Sequence, residues 1–489
     1  MRAKALIATL SLTLLAGNLS PLGARTWTEA NSGRTLEAEL VQINADSVLV
    51  RRADGKTLTL PFNILSEEDL TFIKEQDATT SSAPSPVDSG GWPRWRGPTD
   101  HGSTSGDDHQ YPESLTEDDV AWKIETPGHG VSTPIVYHDQ IILTAVDDEE
   151  DIVLAYSLDG ELLWSTDIGD GREGRHKNAS GSNPSPSTDG EIIAVSFKSG
   201  NLAVVDFEGK RLWDVNLIDK YGDIKMNWDF GTSPVIVGDL VVAAVMHAGE
   251  SYVAAFDKNS GALKWKIDRT YPDFNESDNS YATPLVFKNT DGADALLIWG
   301  ANHLTAYNAA DGELLWSAAD FNPDEERNRN WCAIATPVII DDLAVIPFGR
   351  GKHLAGMKLH GEGDVTESNR TWTRDGSGEV PSLSAYDGKI YVLKNRGEVI
   401  CVDPSDGETV WNDAFPRGSG SFFASPLVAD GKLYAAREDG TVFIADIKND
   451  FEVLSENPLE EKIIASPVAV DGRLLIRGEN HLYAFSTEN

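Results

Sequence analysis

Three basic residues stand at one equivalent place in a repeated pattern. Lys394, Arg437 and Arg477 each follow the second apolar run of a unit that opens on a small residue before Pro or Leu. His247, His303 and Arg350 lie near the same place in earlier units, with small shifts of register. Cations gathered on one face would form a positive patch in an otherwise acidic chain. With Trp228, Trp331, Phe422 and Phe423 available for stacking, such a patch suits an anionic, planar or sugar-like ligand. The alternative is that each cation pairs with a nearby acid, such as Glu398, Glu438 or Glu479. No Gly-rich phosphate loop, HExxH, GxSxG or CxxCH pattern occurs. Asp229, Asp278 and Asp320 offer carboxylates to a hard cation but form no spaced ligand set. No catalytic residue and no metal site is therefore assigned. The acidic run Asp147–Asp151 reads as a solvated turn, with weak calcium binding as the alternative.

The elements that must position these side chains repeat along most of the chain. Each unit runs small residue–Pro, apolar run, Asp-Gly or Gly-Asp, second apolar run, turn, third run, then Gly-x-x-x-Trp. Its start appears at Pro134, Ser185, Pro234, Pro284, Pro337, Leu383, Pro426 and Pro467, at intervals of roughly 40 to 55 residues. Its end appears at Trp164, Trp213, Trp265, Trp316, Trp372 and Trp411, and Leu454 replaces the Trp of the seventh copy. Four short strand-like runs per unit suit a four-stranded propeller blade. Eight starts predict eight blades. The last unit ends without a fourth strand, whereas an orphan fourth-strand sequence surrounds Trp122. Pairing that N-terminal strand into blade eight would close the ring and remove two sheet edges. The unit-end Trp residues are expected to pack between neighbouring blades.

In such a blade the connection to the next blade and the turn from strand two to strand three share a face. The inter-blade connections are long in the early units, for example "STDIGDGREGRHKNASGSN" and "VNLIDKYGDIKMNWDFG". They exceed what closing a propeller requires. They carry His176, Lys177, Asn227, Trp228, Asp229, Asp278, Tyr281, Arg329, Asn330 and Trp331, and this loop face is the expected binding surface.

Composition narrows the partners. A net charge of −37 repels phosphate backbones and anionic lipid, so no nucleic-acid partner is expected. Arg2 and Lys4, an apolar run from Ala5 to Gly17 and the small residues before Arg25 read as a signal peptide over residues 1–24, cleaved near Ala24. No other stretch is long and apolar enough to span a membrane. The product is expected to be periplasmic or secreted, and a monomer. Cys332 and Cys401 fall at different places in the repeat and read as two buried thiols, a bond between them being the alternative.

Residues 25–75 form a separate pattern, with alternating strands around Leu36–Val41, Ser47–Arg52 and Thr57–Leu60. Ser66 with Asp69 opens a short helix. "RTWT", "DGKTLTLP" and "LSEEDL" resemble the Sla-type homology domain, an SH3-like module, and that resemblance implies a peptide-binding or accessory role. A Ser/Thr/Pro/Gly-rich linker follows at 76–91. Residues 92–489, with the opening "WPRWRGPTDHGSTSG", resemble the PQQ-repeat propeller family, in its quinoprotein and BamB-like branches. The resemblance implies an all-β, eight-bladed propeller. Its quinoprotein branch implies a PQQ- and calcium-dependent oxidoreductase acting on alcohols or sugars, with an adjacent-cysteine disulfide that this chain lacks. Its BamB-like branch implies a non-catalytic scaffold for an envelope or extracellular protein or glycan. The scaffold is the leading expectation, with no cofactor.

Overall fold

The computed structural model describes residues 25–28, 30, 34–43, 47–52, 56–66, 69–70, 72–73, 91–104, 109–271, 277–322, 332–448 and 450–487. The expected leader, Trp331 and all but the last linker residue lie outside these. The chain divides into two compact units, Met1–Ser85 and Pro86–Asn489.

In the first unit an antiparallel sheet of four strands, Arg25–Thr28, Thr35–Ile43, Ser47–Arg51 and Thr57–Pro61, pairs in sequence order. Trp27, Ala38, Val48 and Val50 form its core with Leu65 and Ile73. Ser66 and Asp69 act as the pattern predicts: the Ser66 hydroxyl accepts from Asp69 N–H and donates to its carboxylate. Asp69 is buried and also takes Arg25 Nη2 and Thr28 N–H, both at 2.7 Å. One carboxylate thus pins the first strand to the closing helical turn.

The second unit is an all-β propeller of eight four-stranded blades, each antiparallel and ordered outward in sequence. Blade one comprises Ile135–Tyr137, Gln140–Asp147, Glu150–Ser157 and Leu162–Asp170. Blade four carries an extra two-residue strand, Gly363–Asp364, parallel to its outer strand. Blade eight has its first three strands, Val468–Val470, Arg473–Arg477 and His481–Ser486, at the C-terminus. Its fourth is Val120–Glu125, which pairs antiparallel with His481–Ser486. The ring closes as the unit count requires.

The interior is a succession of clusters between blade faces. Ile142 and Val153 of blade one meet Val195, Phe197 and Ala203 of blade two, all buried. Alternation along each strand gives every blade two apolar faces, so each is stable only between neighbours. The repeat-end Trp does more than fill the wedge. Trp122 Nε1 donates to Leu158 O at 2.7 Å, Trp164 to Phe207 O at 2.9 Å and Trp213 to Lys258 O at 2.8 Å. Each carbonyl belongs to the three–four turn of the following blade. The Gly of that turn sits under the ring: Gly209 has φ +80°, and a Cβ there would come 2.7 Å from Trp164. Positive φ and the space for the indole both call for glycine, which explains the Gly-x-x-x-Trp spacing.

A second seam runs round the axis. The residue that opens each unit is Ser or Thr, and its hydroxyl accepts the backbone N–H of the corresponding residue one blade earlier. The links run Thr133 to Ser185, then Ser233, Thr283, Thr336, Ser382, Ser425, Ser466 and back to Thr133, at 2.8–3.2 Å. Eight backbone donors with no strand partner are satisfied in one closed circle.

Candidate functional site

The loop face is built by polar anchors. Arg175 N–H of the connection from blade one to blade two donates at 2.6 Å to Asp229 of the connection from blade two to blade three, whose other oxygen lies 2.6 Å from Lys198 Nζ. Asp229 is buried, so this pair fixes the loop from below. Farther along, Asn178 Nδ2 donates to Glu438 Oε2 of blade seven at 2.7 Å, and Lys462 Nζ of the seven–eight connection donates to Lys177 O at 2.7 Å. The loop therefore reaches from blades one and two to blades seven and eight. Trp228, on the next connection from blade two to blade three, is 46% exposed and meets His176 of this loop edge-on at 4.9 Å.

The six candidate cationic and histidine positions separate once their surroundings are seen. Lys394 follows strand two of blade six, is partly exposed, and pairs with Glu398 at 2.9 Å. Arg437 is buried; Nε meets both Asp439 oxygens at 2.9–3.0 Å, and Nη1 and Nη2 donate to Pro416 O and Thr441 Oγ1. Arg477 is only 2% exposed and binds no acid. It donates to Ser132 O, Ser132 Oγ and Thr144 O at 2.6–2.9 Å, tying blade eight to blade one. Burial pushes its pKa down to about 9, so it remains a cation at neutral pH. Arg350 pairs with Glu379 at the surface. His247 is buried, its Nδ1 accepting Lys225 N–H, and burial lowers its pKa. His303 stacks on Tyr271 at 3.9 Å and donates Nδ1–H to Ala301 O.

Arg437 and Arg477 face inward because oxygens inside the wall accept their N–H groups. Strand two lies second from the axis, and its end lies between blades, where ladder carbonyls end without partners. Of the three equivalent cations, only Lys394 reaches solvent. Phe422, named for stacking, is likewise buried against Phe415 and Phe443.

The run Asp147–Asp151 departs from the solvated turn expected. Asp148 and Glu149 form the exposed turn, with φ +48° and +68°. Asp151 points inward and is fully buried. It accepts Ser199 Oγ–H and Asn201 Nδ2–H of blade two, and burial raises its pKa to about 7. Cys332 and Cys401 are both buried and are not bonded to each other; burial lifts the Cys401 thiol to about 11, which keeps it protonated and inert.

The opposite end of the axis holds what the sequence reading did not foresee. Residues 92–104 thread the ring. Trp92 bridges to Val136 of blade one, Pro93 O accepts Thr188 N–H of blade two, and His101 Nε2 donates to Ile339 O of blade five. His101 O accepts Ala385 N–H of blade six, and Gly102 O accepts Val428 N–H of blade seven. Arg96 lies inside, 3% exposed, its Nη2 donating to Leu383 O, Ser384 Oγ and Pro426 O. Gly97 and Gly102, at φ +81° and +64°, were the available signal. A Cβ on Gly102 would overlap the Arg96 guanidinium.

A three-ring quinone needs an open cavity and a metal-ligand set. Among the described residues no three His, Cys, Asp or Glu side chains converge as metal ligands. The axial chamber beside Arg96 is about 30 Å³, and a second space beside Arg477 about 10 Å³, room for a few waters and for one. Neither observation among the described residues lends support to a PQQ site. Among them, too, no helix is long and apolar enough to cross a membrane.

The chain matches the family model "Outer membrane protein assembly factor BamB" over residues 114–269 and 362–450, half of its length. It is 22% identical to the outer membrane protein assembly factor BamB of Yersinia pestis over 351 residues, covering 69% of this chain and 81% of that protein. Among solved structures, BamB from Moraxella catarrhalis superposes with a TM-score of 0.55 at 16% identity, covering 76% of this chain and 98% of that one. A europium-containing methanol dehydrogenase superposes at 0.63 and 12% identity, covering 82% and 98%; at such identity these superpositions speak for the fold alone. With the repeat, the closed eight-blade ring and the family match in agreement, the chain belongs to the BamB family of β-propeller proteins.

Proposed function

We propose that the chain is an exported, non-catalytic binding propeller that holds a protein of the cell envelope on its loop face. The observation that carries this reading is the built surface: a buried segment threads one end of the axis, and on the opposite face a loop is anchored over blades seven, eight, one and two. What remains for recognition is a surface set by fixed loops, with Trp228 exposed as an aromatic anchor. The relatives named as outer membrane protein assembly factors favour a partner of that membrane. An anionic or sugar-like ligand on the same face would rely on exposed cations such as Lys177, Arg350, Lys394 and Lys462. The N-terminal unit is proposed as an SH3-like accessory module.

Photo-crosslinking residues placed at Trp228 and Lys394 in cells should give one discrete envelope-protein adduct. The same probe at Leu163, exposed on an outer strand, should give none. Adducts from Leu163 alone would overturn the loop face as the site. The second reading, a PQQ-dependent oxidoreductase, rests on the likeness to the methanol dehydrogenase fold. Purified protein given PQQ and calcium is expected to show no bound-quinone absorbance and no dye reduction with alcohols or sugars; PQQ-dependent dye reduction would sink the scaffold reading.

A further inference from the structure

The chamber on the propeller axis is lined by the threading segment and by the inner strands of neighbouring blades. Three charged side chains face it: Arg94, Arg96 and Asp100. Asp100 Oδ2 is held by Arg94 Nη1 at 3.2 Å, which leaves the lining with one positive charge in excess. That charge sits on Arg96, whose hydrogen bonds go to two carbonyls and a hydroxyl and to no carboxylate. An uncompensated buried cation is costly. Burial lowers the Arg96 pKa only to about 9, so at neutral pH it stays charged.

Two buried polar atoms at this chamber lack a partner: Arg96 Nε, a donor, and Ser187 Oγ. Ser233, Thr283 and Thr336 also line it. Their oxygens accept the neighbouring blades' N–H groups, and each hydroxyl keeps its own proton to donate. The chamber therefore offers a cation, one unpartnered N–H and several O–H donors in about 30 Å³, room for a small anion or a few waters.

We propose that this chamber binds a single halide-sized monovalent anion, which balances Arg96 and locks the threading segment into the ring. The proposal is independent of what the loop face recognises. Selectivity follows from valence: a divalent anion would reverse the charge imbalance instead of cancelling it.

The test is thermal unfolding of the full chain in sodium chloride, sodium bromide and sodium gluconate at equal ionic strength, with crystals soaked in bromide. Both halides are expected to raise Tm above gluconate by about 1–3 °C across 10–200 mM, with an anomalous bromide peak beside Arg96 Nε. Arg96→Met should abolish both. Because that variant also removes three native hydrogen bonds, Ser187→Val supplies the second arm. It replaces an unpaired hydroxyl with methyl groups that fill the chamber, and should leave a folded protein whose Tm no longer responds to halide. Equal melting in chloride and gluconate, meaning water only, would overturn the proposal. So would a bromide peak at crystal concentration with no Tm shift, or a halide response that survives in Ser187→Val.

Discussion

Asp151 makes the propeller's stability depend on pH in a direction opposite to most carboxylates. It is fully buried at the seam of blades one and two, with Oδ2 hydrogen-bonded by Ser199 and Asn201 and Oδ1 without a partner. Burial raises its pKa from 3.8 to about 7, so the folded state holds a proton that the unfolded chain has released. The stability this gives is complete below pH about 4 and is lost as pH rises towards 7. At 1.36 kcal/mol per pKa unit, the loss amounts to about 4 kcal/mol. For a propeller of about 400 residues that corresponds to roughly 5 °C in Tm. Asp151→Asn keeps an acceptor for Ser199 and Asn201 and has nothing to titrate. Its amide nitrogen takes the place of the unpartnered oxygen, so the absolute stability of the variant carries little information and the slope carries the answer. Melting both proteins from pH 4 to 8 should give a difference, variant minus parent, that climbs through the window and flattens above pH 7. Two parallel curves would refute the reasoning.

Three further pairs of substitutions probe the architecture. Ser466→Ala strands the buried N–H of Ser425 and should cost about 1–3 kcal/mol in chemical denaturation, while Ser466→Thr restores the link and most of the stability. Gly102→Ala collides with the Arg96 guanidinium, whereas Gly388→Ala, at nearly the same φ with nothing within 4 Å, should cost only about 1 kcal/mol; equal losses of Tm would remove the threading segment from the fold's stability. Arg477→Met frees two buried carbonyls at the closing seam and should lower Tm, whereas Lys394→Ala should leave Tm nearly unchanged; the reverse order would move Arg477 from the scaffold to the surface.

The strand count, ring closure and positions of the Trp seam were legible because each leaves a periodic mark in one dimension. Runs of apolar residues, Gly-x-x-x-Trp and the orphan strand at Trp122 can be read without knowing what lies opposite. The hydroxyl circle left a mark too: the residue before Pro is Ser or Thr in every unit but the sixth, where Ser382 precedes Leu383. That mark reads as "small residue", because its partner is fifty residues away and is a backbone N–H. Arg437 and Arg477 share their register with Lys394, yet register fixes only which face a side chain leaves from. Whether the headgroup reaches water depends on the carbonyls around it: Arg477 finds three oxygens inside the wall, and Lys394 finds Glu398 at its rim. Asp151 was misplaced for a related reason, since its acidic neighbours concealed a strand that begins at Glu150.

Where the cations go bears on what the surface can hold. Among the described residues, the buried charged side chains are six Lys or Arg (Arg96, Lys258, Arg269, Lys432, Arg437 and Arg477) against three Asp (Asp69, Asp151 and Asp229). The interior thus retains more positive than negative charge, and the outer surface is more acidic than the composition implies. Arg269 shows the pattern: it donates to Gly300 O, Ile298 O, His303 O and Thr305 Oγ1, acting as a set of hydrogen-bond donors for blade four. Guanidinium suits this use, since its five N–H groups can satisfy several carbonyls at once. A partner drawn to the remaining surface by charge would therefore be basic. Its association rate should fall as salt is raised from 20 to about 300 mM, because exposed charges are screened over a Debye length of about 10 Å at 0.1 M. A rate indifferent to salt would place recognition on the apolar and aromatic groups around Trp228 instead of on the acidic surface.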